Sequence, residues 1–198
     1  MRVFRILFAL ALGLCFATTA SALDLTNSPH DLSSTSSSAL HTDSAGTSTD
    51  QLCVFCHTPH MATASTYGPL WNRNYTAPGF TDYTSSTFDG GAISYGPQTL
   101  ACMSCHDGTV ALDNLVNAPG SGANTGAQGY TWAGANTGNL TAGALASGAA
   151  ALGTDLTNDH PVGFTYATSS AADTGIRAAI ASANLVLYSG NVECATCH

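Results

Sequence analysis

Six of the seven cysteines of the chain fall in three copies of one pattern, Cys-x-x-Cys-His. They are Cys53-Val54-Phe55-Cys56-His57, Cys102-Met103-Ser104-Cys105-His106 and Cys194-Ala195-Thr196-Cys197-His198. Cysteines three apart face one side of a helical turn, so both thiols can add to the two vinyl groups along one porphyrin edge. A histidine directly after the second cysteine then projects under the ring as an axial ligand to the iron. In an exported chain this spacing is the attachment signature of a c-type haem. Paired cysteines can also build zinc knuckles, redox-active disulfides or structural disulfides. None of these has a reason to want a histidine after every second cysteine. Three complete copies therefore imply three covalently attached haem c groups, held through Cys53 and Cys56, Cys102 and Cys105, and Cys194 and Cys197. His57, His106 and His198 are the proximal ligands.

Export is written at the start of the chain. Met1-Arg2-Val3-Phe4-Arg5 is basic, an apolar run follows from Ile6 to Ala17, and Ala20-Ser21-Ala22 makes an A-x-A cleavage site. That is a secretory signal peptide over 1–22 rather than a membrane span. The mature part, 23–198, is expected to form one multihaem domain in the periplasm or at the outer, extracellular surface. Cys15 lies in the apolar run and leaves with it, so no cysteine remains for a disulfide framework. Something else must staple the fold, and with apolar runs scarce the haems are expected to supply much of the core. The chain has no lysine, and Arg73 and Arg177 are the basic side chains that remain against twelve acidic ones, a formal mature charge of −10. Such a balance disfavours nucleic acid and anionic lipid as partners.

Around the motifs the elements read as short. Leu23 to Asp50 is rich in Ser, Thr and Asp and reads as loop, carrying His30 and His41. Leu52 to His57 predicts a first short helix, ended at Thr58 by the following proline. The aromatic stretch Tyr67 to Phe80 is expected to pack, with a flat haem face as its natural surface. Gly96-Pro97 opens a helix that carries the second motif, and Asp107-Gly108 breaks it. Thr109 to Val116 predicts a further turn or short helix. Asn117 to Gly153 is almost entirely small and polar and predicts a long surface loop or a partly disordered stretch. The apolar spacing of Ile176, Ala179, Ile180, Ala183 and Leu187 predicts an ordinary packing helix over 173–187. The expected fold class is thus mainly irregular, with short α-helices packed around covalently bound haems.

Several phrases carry a narrower likeness: Ser28-Pro29-His30-Asp31-Leu32, Cys53 to His60, Pro69-Leu70-Trp71-Asn72-Arg73, Cys102 to Val110, Asn158-Asp159-His160-Pro161-Val162 and Val192 to His198. In these the chain resembles the exported multihaem c-type cytochromes of metal-reducing and related bacteria, several of which polymerise into extracellular filaments. The resemblance implies bis-histidine irons, closely spaced haems and electron transfer rather than substrate turnover. His30, His60 and His160 are then the distal ligands, with His41 in reserve. Met61 and Met103 are weaker candidates, since Met103 lies between the cysteines of its own motif and cannot turn to the far face. Relatives commonly continue past a Val-Glu-Cys-x-x-Cys-His segment to another histidine and a fourth motif, so the expectation is either a fragment, whose whole protein would carry a fourth haem, or a protein with a shortened end, and the first is preferred.

His60 sits three residues beyond its proximal neighbour. Axial imidazoles of one iron place their α-carbons roughly 12 Å or more apart, whereas three extended residues reach at most about 11 Å. His60 is therefore expected to ligate another haem, in the same chain or in a second copy, and in the latter case to join a homopolymer head to tail. The partners expected are redox proteins or extracellular electron acceptors. The chain is expected to be an electron carrier and not an enzyme. The rival is a small multihaem reductase or peroxidase with one open iron. A third class is a structural or docking subunit.

Overall fold

Too few apolar side chains are available to build a conventional core, and the fold shows it. The computed structural model describes residues 24–62, 67–120, 122–180 and 185–198. The expected signal peptide over 1–22 lies outside these, and so do 181–184 of the expected 173–187 helix. Among the described residues, 16 buried polar or charged side chains accompany 11 buried hydrophobic ones. Hydrogen bonds from side chains must therefore carry much of the fold, because each buried polar group needs a partner. The one apolar cluster joins Val54, Phe55 and Leu115, with Leu32, Cys56, Tyr130 and Trp132 around it. Phe55 meets the rings of Tyr130 and Trp132 at 6.1 and 6.3 Å.

Three short α-helices are described: α1 Pro97–His106, α2 Tyr166–Ala172 and α3 Cys194–Cys197. Pro97 pre-sets the first turn of α1, where a missing N–H costs nothing. Gly108, at φ +71°, ends it in the left-handed region. Four antiparallel two-stranded ribbons complete the set: β1 (His41–Thr42) with β4 (Trp132–Ala133), β2 (Asn114–Ala118) with β3 (Gly122–Ala127), β5 (Leu140–Thr141) with β6 (Ala144–Leu145), and β7 (Phe164–Thr165) with β8 (Asn191–Val192). A 3₁₀ turn over Leu52–Phe55 carries the first motif.

Of the expected turn or short helix over Thr109 to Val116, the turn forms at Leu112 and Asp113 and leads into strand β2, whose Leu115 is fully buried. Two expectations are corrected. Asn117 to Gly153 is not simply a surface loop, since it contributes β3, β4, β5, β6 and a 3₁₀ turn at Thr137–Asn139. Gly134 explains part of this: its φ is +99°, and a Cβ there would stand 2.4 Å from the Ala39 carbonyl, so only glycine lets the segment lie against the N-terminal loop. The described residues of 173–187 form no helix. The helix of that region is α2, just before Asp173, whose backbone N–H closes it on Ser169 O at 2.9 Å. Ile176 and Ile180 are only half-buried and Ala179 is exposed, and a short helical pattern that tertiary packing does not bury is not stable.

Candidate haem sites

The second and third motifs face one cavity. Cys102, Cys105 and His106 ride the C-terminal turns of α1, while Cys194 and Cys197 are the ends of α3, which packs against α1. Between them opens a cavity of about 360 Å³ lined by Cys102, His106, Cys194 and His198. Tyr83, Ile93, Tyr95, Met103 and Leu156 supply an apolar and aromatic wall. None of the six motif cysteines is paired in a disulfide. The Cys102 and Cys194 thiols stand close enough to bias one another, which holds Cys194 below the ordinary thiol range and pushes Cys102 above it, aided there by burial.

Two of the expected distal histidines line the same cavity. The rings of His30 and His106 lie 6.2 Å apart, nearly perpendicular at 77°. The rings of His160 and His198 lie 6.2 Å apart and nearly parallel at 18°. Two imidazoles that bind one metal from opposite sides, each through a bond of about 2.0 Å with the ring centre about 1.1 Å beyond the nitrogen, hold their centres about 6.2 Å apart. Both pairs thus stand at the spacing a bis-imidazole iron requires. His106 further directs its Nδ1 to the Ala150 carbonyl at 2.7 Å, a bond that puts the proton on Nδ1 and leaves Nε2 free to ligate. His30 is exposed as a residue, yet its ring is tucked into the cavity; that desolvation, with the neighbouring His106, holds it below the ordinary imidazole range and favours the neutral, ligating form.

The first motif is built differently. His57 directs Nδ1 to the Pro69 carbonyl at 2.9 Å, the same arrangement as in His106, and its ring meets the Trp71 edge at 6.1 Å. Among the described residues no imidazole packs against His57 as His30 does against His106. His60 is exposed, and its backbone carbonyl accepts from Thr58 Oγ1 at 2.9 Å and Asn117 Nδ2 at 3.2 Å. His41 stands in β1 with Nδ1 on the Ser38 carbonyl at 2.8 Å, and it does not line the cavity. Met61 is 65% exposed, whereas Met103 is buried.

Three side chains without an assigned role in the sequence hold the motifs together. Asn72, fully buried, donates to the carbonyls of Val54 at 2.7 Å and Asn117 at 2.9 Å, and its backbone N–H donates to Cys56 O at 2.9 Å. Arg73, also fully buried, donates to Ser104 O inside the second motif at 2.9 Å, to Ala111 O at 2.8 Å and to Leu112 O. Glu193, 1% exposed, accepts the Gly96 N–H at 3.1 and 3.2 Å and the Thr99 hydroxyl, while Thr99 Oγ1 accepts the Cys194 N–H at 3.1 Å. Helix α1 is therefore clamped by a cation among the carbonyls of its C-terminal half and by a carboxylate at its N-terminus, each the sign its dipole favours. The sequence signals were present but unread: Arg73 is one of two mature cations, and Glu193 directly precedes Cys194.

Among the described residues no three His, Cys, Asp or Glu side chains converge on a point that would hold an ion by themselves. A porphyrin supplies four in-plane nitrogens, so the protein needs to bring only two imidazoles and two thiols. The paired donors of the second and third sites fit that requirement. The first site shows the thiols and one imidazole. No protein-family model and no curated protein matches the chain. No helix of the described residues is long and apolar enough to cross a membrane.

Proposed function

We propose that the protein is a multihaem c-type cytochrome that carries electrons. The observation that carries this reading is the pairing of His106 with His30 and of His198 with His160 at one common 6.2 Å spacing, beside thiols at the attachment positions. Haem iron, once bound, supplies reversible one-electron chemistry. The chain's own residues do the rest. The thiols of each motif would hold a ring covalently, the pairs His30 with His106 and His160 with His198 would each hold an iron and leave no place for substrate there, and Tyr83, Tyr95 and Leu156 limit water at the shared cavity. Bonds such as that from His106 to Ala150 lock the ligand tautomer, which keeps ligation the same in both oxidation states. The acceptor is a redox protein or an extracellular acceptor, and the exposed His60 supports assembly into a homopolymer.

The rival reading, a small reductase or peroxidase, draws on one observation: His57 has no imidazole against it among the described residues. Adding carbon monoxide or nitrite to the reduced protein separates the two. An unchanged spectrum favours the carrier, and a change equivalent to one haem favours the enzyme.

A further inference from the structure

The motifs stand in a row that differs in kind at its two junctions. The first and second motifs adjoin, since two consecutive residues of one segment each hold a backbone carbonyl in one of them. Asn72 and Arg73, adjacent in the chain, bind Cys56 O and Ser104 O respectively and tie that junction. At the other end of α1, Glu193 binds Gly96 and Thr99, and Thr99 Oγ1 accepts the Cys194 N–H at 3.1 Å, which joins the second and third motifs. The second motif is thus the middle one, with a buried cation on one side and a buried carboxylate on the other.

We propose that Arg73 and Glu193 are the residues that set the reduction potentials across these two junctions, Arg73 acting on the first and second sites and Glu193 on the second and third. The inference rests on the haem reading above. Neither residue touches an iron; both act through charge. A cation favours the arrival of an electron and a carboxylate opposes it, and the effect falls with distance. Because both are buried, salt screens them little. Arg177, the other mature cation, lies by the third site in a hollow with Ile180 and Leu185, but it is exposed and correspondingly screened. Asp31, Asp107 and Asp113 are buried carboxylates that contribute a constant background to both variants described next.

The test is a redox titration of Arg73→Gln and Glu193→Gln at one pH, with midpoints assigned by removing one cysteine pair at a time. Arg73→Gln should lower the midpoints of the first two sites and leave the third; Glu193→Gln should raise the last two and leave the first. The middle site moves in both, in opposite directions. Arg73→Lys, which keeps the charge, should return most of the Arg73→Gln shift. Unmoved midpoints, or Arg73→Gln moving the third site as far as the first, would overturn the proposal. Should a variant lose a haem, the unmutated protein decides. Reduction of the second site should then shift each neighbour more than the first and third shift one another, and a strongest interaction between first and third would overturn the row. Fewer than three haems by mass in the unmutated protein would instead sink the haem reading itself.

Discussion

Asn72→Ala should be among the most damaging single substitutions outside the motifs. The side chain is fully buried and makes three hydrogen bonds: Nδ2 to Val54 O at 2.7 Å, Nδ2 to Asn117 O at 2.9 Å, and Oδ1 from the Asn117 N–H at 2.9 Å. Truncation strands two carbonyls and one N–H, each costing about 1–3 kcal/mol when no replacement partner is at hand. Taking the lower half of that range gives about 3–6 kcal/mol, a large part of the about 5–15 kcal/mol that holds a domain together. Asn72→Asp tests the mechanism, because it keeps the shape and the acceptor but turns an oxygen towards two carbonyls. It should destabilise more than alanine does. Urea unfolding of the haem-loaded protein, followed by circular dichroism, measures both, with equal m-values showing that only stability changed. A loss within about 0.5 kcal/mol for alanine, the range of an ordinary surface change, would refute the reasoning, as would an aspartate variant more stable than alanine.

Three further outcomes follow from the imidazole pairs and from His60. In His160→Ala the site of His198 should turn from low-spin to high-spin while the site of His106 is unaffected; an unaltered spectrum would pass the ligand role to His41 or another residue. Electron paramagnetic resonance of the ferric protein should show two kinds of low-spin signal. Ring planes at 77° split the iron d orbitals little, and those at 18° split them strongly, so the second site should be the more anisotropic and the third the more rhombic. A single rhombic type at both would contradict these ring orientations. His60→Ala should cost one haem its low-spin character, and if His60 reaches a second copy, light scattering should also show assembly failing while the monomer still carries every haem. All haems low-spin in that variant would eliminate His60 as a ligand.

What was legible in the sequence was local. The three motifs declare their own chemistry, and Gly96-Pro97 with Asp107-Gly108 brackets α1 because proline and glycine act on the backbone where they stand. Hidden from it were the long-range partners. Glu193 meets Gly96 across 97 positions, and β4 finds its partner in β1, so the small, polar stretch 117–153 takes its strands from contacts that its own composition cannot announce. The spacing of Ile176 to Leu187 was helical on paper, yet the helix forms at Tyr166–Ala172, beside the β7–β8 ribbon. The distal histidines were legible as candidates through the residues that flank them. Which proximal ligand each one faces needed the fold: His30 to His106, and His160 to His198.

The central claim is covalent haem at three sites, and the most direct test is the mass of the denatured, purified protein with peptide mapping of its cysteines. Coordination bonds do not survive unfolding, whereas two thioethers per ring do. The account predicts a mass carrying three haems, one on each of the peptides containing Cys53 and Cys56, Cys102 and Cys105, and Cys194 and Cys197. An unmodified polypeptide mass with six free thiols, from cells that load haem onto a control c-type cytochrome, would contradict it.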